Sequence, residues 1–278
     1  MRVAACGAGP TSYCSFRSSQ RFPRHVSPLA LYKTRMSIPL PGSAVTCSLE
    51  LHPSTTATKR QRWFEVSLVM LVAFAGSILG SIYVLKNIPG SNLQLTAPRL
   101  ILGVVQEITG LLLLGYVLSR TGRRFRDIGL HWSLRDAGTG FFVAVASYMA
   151  YAIGYYALHA IHLAIYGTPI HETPAAQIFR HMGFTAIPFI LINPFFEELI
   201  VRAYLMTELI DLTGSGALAI AVSVALQFSY HLYYGWWIAL SLAFQFLVFA
   251  LFFAASRRAL PIVVAHSLFD LYALLRLW

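Results

Sequence analysis

Seven apolar runs, at residues 64–85, 99–119, 137–165, 183–209, 216–234, 237–256 and 260–277, dominate this sequence. Each is close to the length of about 20 residues that a helix rising ~1.5 Å per residue needs to cross ~30 Å of hydrocarbon. Inside a bilayer every backbone amide must be satisfied within the protein, so runs of this length can only become helices. Composition agrees: 57% apolar and 12% charged residues, with a mean hydropathy of +0.63, is too oily a balance for a water-soluble domain. The expected fold is all-α, a polytopic transmembrane helix bundle of about seven spans over residues 63–278, preceded by a disordered basic N-terminal tail at 1–62.

The formal charge of +10 suggests nucleic-acid binding until it is located. Residues 1–62 hold nine Lys/Arg against the single acid Glu50, whereas the body carries twelve basic and ten acidic side chains. No nucleic-acid partner is therefore expected. In the body and at its edge the bases gather between spans: Lys59, Arg60 and Arg62 before the first, Arg120, Arg123, Arg124 and Arg126 after the second, Arg257 and Arg258 after the sixth. A seven-span path puts all three groups on one side, which the positive-inside rule makes cytoplasmic, with Trp278 on the far side. This predicts a multi-pass protein of the cell membrane. The stretch from Arg120 to Asp136 mixes bases with Phe125, Ile128, Leu130 and Trp132 and should lie along the cytoplasmic interface.

Cys6, Cys14 and Cys47 all fall in the tail without CxxC spacing, so neither a disulfide framework nor a zinc knuckle is expected. The tail is rich in Ser, Pro, Thr and Arg and has no apolar run of signal-peptide length. It can be read as a dispensable extension, as the result of a start assigned upstream of Met36, or as an organellar targeting segment.

An ionisable group within a span costs about 2.5–3.5 kcal/mol even on lenient insertion scales, so each one needs a reason. The fourth run reads Asn193-Pro194-Phe195-Phe196-Glu197-Glu198-Leu199-Ile200-Val201-Arg202. Four-residue spacing sets Glu198 and Arg202 on one face as an ion pair and leaves Glu197, about 100° away, as a candidate general base. Pro194 removes a backbone hydrogen bond just upstream and is expected to bend the helix. The fifth run carries Gln227 and His231, four apart, and the seventh His266 and Asp270, also four apart. Glu197 and His231 each lie 17 residues from Gly214, a glycine in the turn signal Gly214-Ser215-Gly216, so a hairpin bent there brings them to one depth. His266 fits less well: counted from the Arg257-Arg258 turn it lies about 12 Å above the cytoplasmic end, against about 20 Å for Glu197.

EExxxR at Glu197, Glu198 and Arg202, a histidine on the next span and HxxxD at His266 and Asp270 together resemble the CAAX protease and bacteriocin-processing family, which includes type II CAAX prenyl endopeptidases. The resemblance covers about residues 180–277. It implies a peptidase in which Glu197 and His231 activate the attacking water while His266 and Asp270 stabilise the oxyanion, with Glu198 and Arg202 in support. Two departures stand out. Gln227 occupies the Phe position of the family's FxxxH, and Asp270 replaces the Asn of the eukaryotic enzymes. An ionised Asp cannot donate to an oxyanion, so Asp270 is expected either to be kept protonated by burial or to orient His266, the simpler role. No cofactor is required, although Glu197, His231 and His266 could hold zinc with an open fourth position.

These expectations describe an intramembrane endopeptidase acting on a membrane-bound or lipidated peptide, CAAX-type if the resemblance extends to substrate. The competing reading is a scaffold, immunity factor or proton-coupled carrier of the same fold, since buried Glu, His and Asp also build proton relays. Blander roles are assigned elsewhere: helix packing or access for Gln106 and Glu107, interfacial positions for His159 and His162, and an aromatic belt for Tyr230, Tyr233, Tyr234, Trp236 and Trp237.

Overall fold

The structure, a computed structural model, describes residues 57–87, 97–170 and 186–277. The tail up to residue 56, with its three cysteines, and Trp278 lie outside the described residues. Every described element is helical. Helix α1 spans Lys59–Asn87, α2 Ala97–Arg120 and α3 Leu134–Tyr166. Helix α4 (Ala186–Glu197) runs through a π-helical segment, Glu198–Met206, into α5 (Thr207–Thr213), forming one rod. Then come α6 (Gly216–Tyr230), α7 (Trp236–Ser256) and α8 (Leu260–Leu277). The described residues thus form seven rods, one per apolar run, and α1, α2, α3 and α7 are long and apolar enough to cross a membrane by themselves.

Two local expectations need correction. The fourth run is not a regular α-helix bent at Pro194. Pro194 sits inside α4, and the departure comes four residues later, where hydrogen bonding widens to the rare i→i+5 pattern. The fifth run does not remain α-helical to residue 234 either: α6 stops at Tyr230, His231 caps it, and a short 3₁₀ turn over Leu232–Tyr234 leads to Gly235. The hairpin at Gly214 forms as expected. Gly214 adopts φ +74°, a conformation that favours glycine, and its amide reaches Ile210 O at 2.8 Å. Ser215 Oγ then caps α6 by accepting from the Leu218 amide at 3.2 Å.

All three basic groups do meet at one end of the bundle. Arg62 bonds Glu208 at 2.7 Å and Asp211 at 3.1 Å, and Arg123 bonds the same Glu208, which ties α1, the α2–α3 connection and α5 together. Arg258 pairs with the buried Asp136 of α3, and the Ala259 amide donates to Gly129 O at 2.9 Å. The α2–α3 connection is only partly interfacial. It contains a 3₁₀ turn, Phe125–Ile128, whose Ile128 is buried in the core while Trp132 stays exposed.

The π segment is the centre of the bundle, with all nine of its residues buried. Around it pack Val69 and Phe74 of α1, Leu114 and Leu118 of α2, Phe249 and Phe253 of α7, and Ile262 and Ala265 of α8. Helix α3 lies across α7 and α8 and approaches them through glycines, the usual device of helix contacts in lipid. A Cβ on Gly140 would meet Pro261 O and Val264 Cβ at 2.7 Å. Gly140→Leu is accordingly expected to destabilise the bundle by about 1–3 kcal/mol through overpacking against backbone, read as a lower thermal midpoint in detergent.

Candidate active site

Glu197 closes α4 and is 7% exposed. Its Oε2 accepts from the Tyr230 hydroxyl at 2.7 Å and from Gln227 Nε2 at 3.2 Å. Its Oε1 accepts from the Asn193 side-chain nitrogen at 3.3 Å, in the amide orientation that satisfies its surroundings. Three donors therefore fix this carboxylate, two from the facing helix α6 and one from the turn before it. Gln227 and Tyr230 are three apart and share a helical face, and Asn193 precedes Glu197 by four, so both contacts follow from helical spacing.

Glu198 opens the π segment. It faces Arg202 at 3.4 Å, both side chains being wholly buried, and its other oxygen lies 2.8 Å from His266 Nδ1. The Arg202 guanidinium stands 5.7 Å from the ring centroids of both Phe246 and Phe249. His266 Nε2 is 3.6 Å from Asp270 Oδ1, so the imidazole is flanked by one carboxylate at each nitrogen. The depth mismatch expected for His266 does not arise. His266 Nδ1 reaches Glu198, and a donor atom of the same ring lies within 4.8 Å of those of both Glu197 and Glu198.

His231 sits just beyond α6 with Nδ1 2.8 Å from Gln227 O. A carbonyl only accepts, so Nδ1 carries the proton and, in the neutral ring, Nε2 keeps its lone pair. The ring packs among Tyr230, Tyr233, Tyr234 and Phe246, at centroid distances from 4.7 to 6.0 Å. It lies within electrostatic reach of Glu197 and His266, and Asp270 within reach of Glu197. Glu197 and His266 are buried while His231 and Asp270 are half-buried beside them, and the direct partners of Glu197 on the fifth rod are Gln227 and Tyr230 rather than His231.

Besides the Gln227 contact, three members of this cluster were not anticipated. Tyr230 is 4% exposed and bonded to Glu197, so it is no part of an interfacial belt, whereas Trp236 remains 53% exposed. Asn193 had a legible position, one helical turn before Glu197. Glu107 parts company with its neighbour: Gln106 bonds Ala73 O of α1 at 2.8 Å, as a packing residue should, but Glu107 Oε1 takes a 2.9 Å bond from Asn193. Of the histidines on α3, His162 stacks edge-on to Trp237 at 5.2 Å, away from the cluster.

Removing Arg202 leaves Glu198 buried beside His266 with no permanent cation. Arg202→Met is expected to cost about 3–5 kcal/mol, and Glu198→Gln in the same background to restore part of it. Thermal unfolding of the purified variants checks both.

Comparison with known proteins adds one finding. No curated protein and no solved structure matches the chain. Residues 180–272, about a third of the sequence and the part that holds every cluster member except Glu107, match the family described as type II CAAX prenyl endopeptidase Rce1-like.

Proposed function

We propose that this chain is an intramembrane endopeptidase that hydrolyses a peptide bond of a membrane-associated protein or peptide by glutamate-activated water, with prenylated CAAX-type peptides as the substrate class. The family match supports a CAAX-type membrane protease in general. The observation that carries the chemical reading is the buried carboxylate of Glu197, held by Tyr230, Gln227 and Asn193 beside two imidazoles on separate rods.

In this reading a water hydrogen-bonds to Glu197 and to the free Nε2 of His231. Glu197 takes its proton as the oxygen attacks the scissile carbonyl, and returns that proton to the leaving amine as the C–N bond breaks. His266 supports the negative charge on the carbonyl oxygen. Glu198 holds His266 through Nδ1, while Nε2 stands 3.6 Å from Asp270, beyond hydrogen-bond length, so in a doubly protonated ring its N–H is free to donate to the oxyanion. Asp270 then acts by orienting the ring, as its carboxylate chemistry requires. From the positive-inside rule we place the basic end on the cytoplasmic side of the cell membrane.

The same residues bear on zinc. The donor atoms that lie within 4.8 Å of one another are those of Glu197, Glu198 and His266, not the set containing His231. One Glu198 oxygen faces Arg202 and the other is bonded to His266, a poor arrangement for a cation, so hydrolysis is assigned to the protein groups alone.

Glu197→Gln and His231→Ala are each expected to lower kcat on a fluorogenic farnesylated CAAX peptide by about 100-fold or more while the proteins remain inserted and folded. Full activity in either variant contradicts the assignment, and a wild-type protein that cleaves no membrane peptide returns the field to the scaffold, immunity and carrier readings. Treatment with a strong zinc chelator should leave cleavage unchanged, with elemental analysis finding less than stoichiometric zinc.

A further inference from the structure

Glu107 lies on α2, outside the segment that matches the family, and is 4% exposed. Among the described residues no Lys or Arg pairs with it, and its Oε2 is buried without a hydrogen-bond partner. A carboxyl group in that setting is costly, so helix packing alone is a weak reason for its presence. The local packing is built around it. Gly103, Glu107 and Gly110 share one face of α2, and Phe189, Asn193 and Phe196 share one face of α4. A Cβ on Gly103 would meet the Phe189 ring at 3.1 Å, and one on Gly110 the Phe196 ring at 2.6 Å. The two glycines let the rings close on α2, one turn on either side of the level where Glu107 meets Asn193.

At that level Asn193 uses both hydrogens of its nitrogen, donating to Glu107 Oε1 at 2.9 Å and to Glu197 Oε1 at 3.3 Å. An amide can also turn its oxygen toward Glu197, and that orientation sets two acceptors against each other. Asp270 also faces the Asn193 amide, and Glu107 is the acceptor that, together with Glu197, favours the nitrogen-inward orientation against it. We propose, on the peptidase reading above, that Glu107 is a positioning residue for Glu197: through Asn193 it holds the carboxylate that takes the proton from water in its working orientation. The required property is an accepting oxygen at position 107, which glutamine keeps and leucine lacks.

The test uses the full chain in phosphatidylcholine vesicles with a farnesylated fluorogenic CAAX peptide, comparing wild type, E107Q, E107L, N193L and E107L/N193L, each with its thermal midpoint recorded. Misplacing a reacting group by about 1 Å can cost about 100-fold, so E107L should lose kcat on that scale with little change in KM. E107Q should recover most of the loss. Because Glu107 acts through Asn193, the double variant should be no slower than N193L. Wild-type kcat in E107L, a loss confined to KM, an E107Q as slow as E107L, or multiplying losses in the double variant each overturn the proposal while leaving the peptidase reading intact.

A second readout does not need turnover. The rate at which dicyclohexylcarbodiimide modifies Glu197, followed by mass spectrometry, should rise in E107L and N193L and stay near wild type in E107Q. Equal rates in all four proteins overturn the role of Glu107 whether or not the wild type cleaves the peptide, whereas altered rates with no cleavage in the wild type uphold the positioning and remove the peptidase.

Discussion

At the middle of the bundle Glu198 and Arg202 face each other with no exposure to solvent or lipid, and both have second engagements, Glu198 with His266 and Arg202 with the rings of Phe246 and Phe249. A pair of charges so deep is tolerable only if each is surrounded by suitable partners, because desolvation offsets most of their mutual attraction. The pair therefore dictates its surroundings. It requires α8 to present His266, α7 to present two aromatic faces, and the backbone that carries it to be covered on every side. The nine buried residues of the π segment are the result.

From this centre the cluster extends in two directions. Toward α8 runs a chain of ionisable groups, Arg202, Glu198, His266 and Asp270. Toward α6 and α2 the partners are neutral donors, Gln227, Tyr230 and Asn193, all aimed at Glu197. Adjacent glutamates in one rod thus receive different environments, one matched with a guanidinium and an imidazole and one with amide and hydroxyl groups. Such a division suits one group to structure and the other to proton transfer. His231 stands at the end of α6, where the chain leaves the helix and its backbone carbonyl partner selects the ring tautomer.

Much of this could be read from the residues before any coordinates. Seven apolar runs became seven rods, the basic groups gathered at one end, and the Gly214 hairpin brought the fifth rod alongside the fourth. Of the motif residues, Glu198 contacts Arg202 and His266 directly, and His266 stands beside Asp270. What escaped were features that depend on how rods are rotated and how steeply they climb. Tyr230 looked like one of several aromatics near a boundary, yet as the last residue of α6 it is buried on Glu197, while Trp236, beyond the 3₁₀ turn, is exposed. Gln227, a departure from the family pattern, turned out to bond the carboxylate, because the helix phase at that point directs residue 227 inward.

Hydropathy and the cost of unpaired backbone in lipid were enough to determine, from sequence alone, a helical membrane bundle, its number of rods and which polar residues lie within it. These are properties of single segments against a uniform solvent. Only the tertiary structure decided that Glu197 meets Tyr230 and Asn193, that His266 reaches Glu198 across the bundle, and that Glu107 of α2 joins them. Such contacts arise from packing between segments distant in the chain, where glycines such as Gly103 and Gly110 let facing rings close on a helix.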